Sequence, residues 1–327
     1  MTPRVSIAIR AYRRRWLHDA VASVLSQTHR DLELIVYDDA GDLADVAGAP
    51  GDPRVRYERA TPGLQASGRF LAAVALCRGG FIGLLDDDDR YEPTFVERLL
   101  RALDENPAAG IAFCRTTFEA GGRLTRPIDR RRAGRMDDAA RRMLSERWTV
   151  SPSHMLIRRP ALEAAWRDQP MPDGVAPDVF VNLGVALAGW SHVLVDEPLV
   201  IYRWHDDQLS RRGPAATDTP IATWQQLRLD DPDLSRLRHR LLARAYIARA
   251  VARLAAGDRR GSRADLAAAA AVAPAAWPLP RQLLALASRG GPTGSWLMRG
   301  WLSLWAGGHQ RRRPPTRIGG ARYSRSG

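Results

Sequence analysis

Lysine is absent from the 327 residues, and 49 arginines carry all the basic charge apart from histidine. That absence excludes a glycine-rich phosphate loop closed by a lysine. Cysteine is scarce: Cys77 and Cys114 stand apart, with no CxxC spacing. Two such residues exclude a disulfide scaffold and a cysteine zinc site, and they fit a reducing, cytosolic setting in which both pack as small apolar groups. No apolar run approaches the ~18–20 uncharged residues that a membrane-spanning helix requires. No charged-then-apolar leader precedes the first strand-like run, so a cytoplasmic location is expected.

What is present suits a folded chain. Apolar residues make up 45% and charged residues 26%, the balance of a packed domain rather than a disordered or collagen-like chain. One domain of about 200 residues leaves room for an appendage. The net charge of +13 resembles a nucleic-acid signature until it is mapped. Residues 1–212 hold 30 Arg against 30 acids and sum to zero. Residues 213–327 hold 19 Arg against 6 Asp and no Glu, so the entire excess lies there. No reader motif surrounds that charge, and nucleic acid is not expected as a partner.

Residues 5–9 form a short apolar run of strand character. Trp16, Ala20, Val24 and Leu25 follow at near-helical spacing, and a second strand over 32–37 ends at Asp38-Asp39. Strand, helix and strand with short joints predict a βαβ unit and a parallel sheet. Further strands are expected over 52–57, 81–85 and 110–114, and helices over about 65–77 and 93–105. Residues 121–147 are Arg-rich and weakly patterned, which predicts a mobile loop with some helix. A helix at 178–189, a strand at 192–195 and the run 197–203 complete this part.

Beyond about residue 215 the composition changes. Leu241, Leu242, Ala245, Ala248 and Leu254 make a helical stripe, Gly257-Asp258 breaks it, and 262–273 is an Ala-rich helix. A third helix is expected at 281–288, after Pro274, Pro278 and Pro280. The pattern resembles one tetratricopeptide-like hairpin. Trp296, Trp301 and Trp305 then crowd ahead of Arg311, Arg312 and Arg313. This suits a membrane interface, or else a short core helix with a solvated tail; 311–327 is expected to be disordered.

The chemistry-bearing feature is four consecutive aspartates, Asp86 to Asp89, closing the strand at 81–85. The carboxyl ends of parallel strands face the crevice where α/β sheets bind ligands. Adjacent carboxylates repel one another, so the cluster costs stability unless a cation neutralises it. Mg2+ or Mn2+ often takes one or two carboxylates plus substrate phosphates. On charge alone, a metal–diphosphate site and a solvated acidic turn are equally good readings.

Several segments break the tie by their order: Val5-Ser6-Ile7-Ala8-Ile9, Ala22-Ser23-Val24-Leu25-Ser26-Gln27-Thr28, the run from Asp31 to Asp39, and the run from Phe81 to Asp89. The stretch from Glu197 to His205, followed by Gln208-Leu209-Ser210, comes next. Over about residues 3–212 the chain resembles family 2 glycosyltransferases of GT-A fold. The resemblance implies an α/β fold with a Rossmann-like, mostly parallel sheet, flanking helices and a C-terminal α-helical extension. Residues 1–212 would be the catalytic domain, 213–310 the extension and 311–327 a basic tail. The implied activity is inverting transfer of a sugar from a nucleotide-diphosphate donor, UDP- or dTDP-type, to a hydroxyl. The acceptor would be lipid-linked or polysaccharide, met at the inner face of the plasma membrane with peripheral contact through the C-terminal segment.

Carried over by position, the resemblance also implies roles. Asp39 would accept a hydrogen bond from the nucleotide base, a helix cap being the alternative. Asp86 and Asp88 fit the D-x-D pattern, with Asp88 on Mn2+ or Mg2+ and Asp86 or Asp87 near the ribose. Tyr12, kept from the family's Tyr-Asn pair, joins the nucleotide-sugar contacts, and His205 falls near the metal and diphosphate, a structural or acceptor-side role being its alternative. Asp178 matches the base that takes the acceptor's proton. It is preceded by Pro177 where the family usually has another acid, and an ordinary helix N-terminal aspartate is the other reading. Arg10 and Arg13 also depart from the family pattern, and either contact phosphate or sit on a charged surface. A non-catalytic sugar-nucleotide or glycan-binding module of the same fold is the alternative function.

Overall fold

The structure is a computed structural model that describes residues 2–12, 14–38, 51–126, 131–146, 149–206, 208 and 213–275. β1 (Val5–Ala11) and β2 (Leu32–Asp38) are almost wholly buried, as strands covered on both faces must be. They pair in parallel, from Val5 opposite Leu32 to Ala11 opposite Asp38. The crossover is α1 (Arg14–Leu25), which buries Leu17, Ala20, Val21 and Val24. β3 (Val55–Arg59) extends the sheet beyond β2, and β4 (Phe81–Asp86) lies on the other side of β1. Between them runs α2 (Ala66–Leu76).

Gln27 shows why the segment 22–28 reads as it does. Its buried amide donates to the Ser23 carbonyl (2.9 Å) and the Glu92 carbonyl (2.8 Å), and accepts from Val96 N–H (2.9 Å). The Ser23 hydroxyl accepts Tyr91 N–H at 3.1 Å. These bonds tie α1 to β5 (Arg90–Tyr91) and to the start of α3 (Phe95–Glu105), so the motif is structural.

β6 (Ala109–Ala120) and β10 (Ser191–Trp204) pair in parallel, and β9 (Met155–Arg158) sits antiparallel between β4 and β6. The sheet order is β3-β2-β1-β4-β9-β6-β10-β5, and β1, β2, β3, β4, β6 and β10 run in one direction. This is the expected mostly parallel α/β sheet. Several details differ from expectation, β9 among them. The Arg-rich stretch holds β7 (Arg123–Thr125), β8 (Gly134–Met136) and α4 (Ala139–Glu146), strands too short to leave a period. A helix with no expected counterpart, α5 (Arg159–Asp168), follows β9. The two runs at 192–195 and 197–203 are one strand, and Pro198, which has no N–H to donate, sits at a register shift.

α6 (Pro177–Leu187) leads into β10; α7 (Gly213–Gln226), α8 (Pro232–Ala255) and α9 (Arg259–Val272) follow it. Asp231 and Asp258 cap α8 and α9 by accepting first-turn N–H groups. One core lies between the sheet, α1 and α3; the other, between the sheet, α2, α5 and α6, also takes Leu227 and Leu241. α8 and α9 share a smaller apolar seam, where Asp265 bridges Arg249 (2.8 Å) and Arg253 (3.0 Å). Both cysteines are buried, and burial pushes each thiol up to about 12. Among the described residues no helix is long and apolar enough to cross a membrane. The helix expected at 281–288, the tryptophan-rich segment and the tail 311–327 lie outside the described residues.

Candidate active site

β1 and β4 end side by side, with Arg10 opposite Asp86, and the acid cluster begins there. The Arg10 guanidinium pairs with the Asp86 carboxylate, and Asp86 N–H donates to the Ser153 hydroxyl at 3.1 Å. A turn closes through Asp89 N–H to the Asp86 carbonyl (3.1 Å). The four aspartates then divide their work. Asp87 accepts the Tyr12 N–H at 2.6 Å and so fixes the exit of β1. Asp89, 1% exposed, accepts the Arg203 N–H at 3.1 Å and anchors β10. Burial, with repulsion from Asp88 and Asp86, holds the Asp89 carboxyl well above the usual range. Asp88 meets His205, with Oδ2 at 2.9 Å from Nε2.

His205 is itself braced. Its ring lies 4.6 Å from that of Trp16, and the Arg203 guanidinium stands 5.1 Å from the Trp16 ring. Arg203 also pairs with Asp19 (3.3 Å) and Glu119 (3.5 Å), and Glu119 reaches Arg90 at 3.3 Å. Beneath this, His154 packs toward Tyr202 at 5.8 Å between ring centres. Burial pushes its pKa down to about 4, so the imidazole is neutral near neutral pH.

A second rim starts at Asp178, the second residue of α6, which lies within reach of the Arg10 charge. Pro177 fits the first position, where its missing N–H costs nothing, and the helix N-terminus favours an anion beside it. The Thr149 hydroxyl donates to Asp178 Oδ2 at 3.2 Å. Asn182 Nδ2 donates to the Asp178 carbonyl (2.7 Å) and the Val150 carbonyl (2.9 Å). Desolvation raises the Asp178 pKa, against hydrogen bonds from Val179 and Thr149 and the positive charge of Arg10. Arg10 therefore acts electrostatically on both rims.

Of the residues singled out in the sequence, the structure brings together Tyr12, Asp86, Asp87, Asp88 and His205, and Asp178 is linked to them through the charge of Arg10. Asp39 lies outside the described residues. Ser153, His154, Thr149, Trp16 and Glu119 line or brace the site without any spacing signal that would have announced a role. Among the described residues no group of three or more His, Cys, Asp or Glu side chains is placed to hold a metal. Asp88 and His205 alone offer a carboxylate and an imidazole, a donor set that suits an ion completing its shell with phosphate oxygens.

The architecture is that of a GT-A glycosyltransferase fold. The crystal structure of Staphylococcus aureus TarS 1–349 in complex with UDP-GlcNAc matches with a TM-score of 0.68 at 14% identity, over 94% of this chain and 92% of that one. Residues 6–166 match the family described as Glycosyl transferase family 2. An uncharacterized glycosyltransferase of Nostoc sp. is 25% identical over 232 residues, 68% of this chain and 71% of its own length. One from Rickettsia felis is 30% identical over 120 residues, 36% of this chain and 19% of its own length. Escherichia coli chondroitin synthase is 39% identical over 105 residues, 30% of this chain and 15% of its own length. The chain thus spans a fifth or less of the latter two relatives. That family match covers just under half of the chain and supports its reading as a family 2 glycosyltransferase.

Proposed function

We propose that this chain transfers a sugar from a nucleotide-diphosphate donor to a hydroxyl acceptor by inverting displacement, with residues 1–212 as its catalytic domain. One observation carries the reading: Arg10 pairs with Asp86 in the charged rim of Asp86 to Asp88 and His205, and its charge also reaches the desolvated carboxylate of Asp178. Asp88 and His205 are the residues that would hold Mg2+ or Mn2+, and that ion supplies positive charge to the departing diphosphate. Asp86 and Asp87 border the ribose pocket with Tyr12, whose residue is 51% exposed, and Asp39 takes the base.

Asp178 does the proton work. A carboxylate whose pKa is raised toward the working pH is a better proton acceptor than a fully solvated one. Thr149 orients it by donating to Oδ2, and the carboxylate accepts the acceptor's hydroxyl proton. As that hydroxyl attacks the anomeric carbon, the bond to the diphosphate breaks on the opposite face, which inverts the centre. TarS is named with UDP-GlcNAc and with UDP, which makes a UDP-sugar the first donor to test here. The acceptor proposed is lipid-linked or polysaccharide, with peripheral membrane contact through 290–327 and its Trp-Arg composition.

A thermal-shift panel of nucleotide sugars, with and without Mn2+, tests the donor reading, because a bound donor stabilises the fold by mass action. A UDP-sugar should raise Tm, and more so with Mn2+; no response to any nucleotide sugar would overturn it. Deleting 290–327 should release the chain from anionic vesicles, and unchanged binding would remove the membrane contact.

A further inference from the structure

We propose that the helices after the sheet complete the acceptor half of the site, with Thr223 of α7 as the residue that positions Asp178. This rests on the reading of Asp178 as the base. The segment that delivers Asp178, residues 173–176, has no regular structure of its own. Such a segment samples many conformations unless its backbone groups are held. Here two buried hydroxyls hold it, one from each side. Ser67 of α2, 0% exposed, donates to Asp173 Oδ1 (3.0 Å) and accepts Gly174 N–H (3.0 Å). Thr223, 1% exposed, donates to the Thr219 carbonyl (2.6 Å) and accepts Ala176 N–H (2.9 Å).

The directions matter. The single proton of Thr223 is committed to its own helix, so only its lone pairs face Ala176. Ala176 is the N-cap of α6 and has no side chain that can cap it, while Pro177 has no N–H. Ala176 N–H is therefore the last backbone donor ahead of Asp178, and α7 receives it. The loop is pinned further back as well: Gln169 accepts Arg228 N–H (2.8 Å) and donates to the Arg228 carbonyl (3.3 Å), just beyond α7. Met171, Val175, Val179 and Phe180 share one core with Leu227 and Leu241. A shift of α7 would thus carry the start of α6 with it. A proton acceptor misplaced by about 1 Å loses on the order of 10²-fold in rate.

Thr223→Val and Thr223→Ser in the full chain test this. Valine keeps the shape and removes the acceptor oxygen; serine restores it. Two readouts are used: UDP release from UDP-GlcNAc with Mn2+, and amide hydrogen exchange over 172–178. Thr223→Val should lower kcat by about tenfold or more, given the geometric demand above, with donor KM within about twofold and faster exchange at Ala176. Thr223→Ser should recover both. Unchanged kcat with unchanged exchange overturns the proposal, and so does a Thr223→Val variant in which kcat and donor KM worsen together. Asp178→Asn is run in parallel: if it turns over like the parent, the base assignment fails. If the parent releases no UDP, the donor reading is at fault. In either case exchange at Ala176 alone decides whether Thr223 holds the loop.

Discussion

The two rims of the site are built in opposite ways. The donor rim is contiguous: four aspartates in a row, each fastened by a neighbour the sheet brings alongside, with charge as its dominant property. The acceptor rim carries one carboxylate at a helix start, held by hydroxyls from distant parts of the chain. Charge can be written into a sequence locally, as a run of acids at a strand end. Position cannot, because it depends on which remote hydroxyl reaches which backbone group.

That contrast can be broken experimentally, most strongly at its single carboxylate. Asp178→Asn should cut turnover by roughly 10²–10⁴-fold, the usual share of a general base, while calorimetry still shows UDP binding. In the parent, turnover should rise with pH through an acid limb above the usual aspartate range, since the deprotonated form is the active one and burial raises its pKa. On the other rim, Asp88→Ala should weaken Mn2+-dependent UDP binding by roughly 10–100-fold and leave metal-independent binding intact. Equal losses with and without Mn2+ would show that Asp88 touches the nucleotide rather than an ion.

Smaller effects sharpen the comparison. Trp16→Ala removes the ring that packs on His205 at 4.6 Å. Losing about 1 kcal/mol of ring contact should weaken the same Mn2+ dependence about fivefold, with Trp16→Phe recovering most of it. Two buried histidines should answer to acid. His154 and His192 are both buried, with pKa values pushed down to about 4. The unfolded chain binds those protons first, so stability should be full above about 6.5 and fall as pH drops from there toward 4. The raised carboxyls of Asp89 and Asp178 act with the opposite sign, so the check is the difference between the parent and His154→Gln or His192→Gln: variants with the parent's pH dependence would show that neither imidazole contributes.

Much of the fold was legible because buried parallel strands announce themselves. The runs at 5–9, 32–37 and 81–85 are mostly apolar and buried on both faces, and each is a central strand. β7, β8 and β9 were not, since strands of three or four residues show no period. The donor rim could be read as a cluster, although the separate tasks of Asp87 and Asp89 could not: they depend on Tyr12 and Arg203 arriving from other strands. Asp178 was reachable only through resemblance, because one aspartate after a proline is an ordinary helix start. Ser67, Thr149 and Thr223 carried no mark at all. A hydroxyl in a helix or loop looks the same whether it faces water or a backbone N–H far along the chain.

The strand β10 has a further consequence. Between Val195 and Val200, five steps along it match two steps along β6, so three residues bulge out around Pro198. An odd surplus reverses the in–out alternation of everything downstream, including Tyr202, Arg203 and the approach to His205. Chain length between Asp196 and Leu199 is thus a switch with two settings. Substitutions there can come and go, but losing or gaining one residue would turn Arg203 to the far face and part His205 from Asp88, in a protein whose sheet still forms.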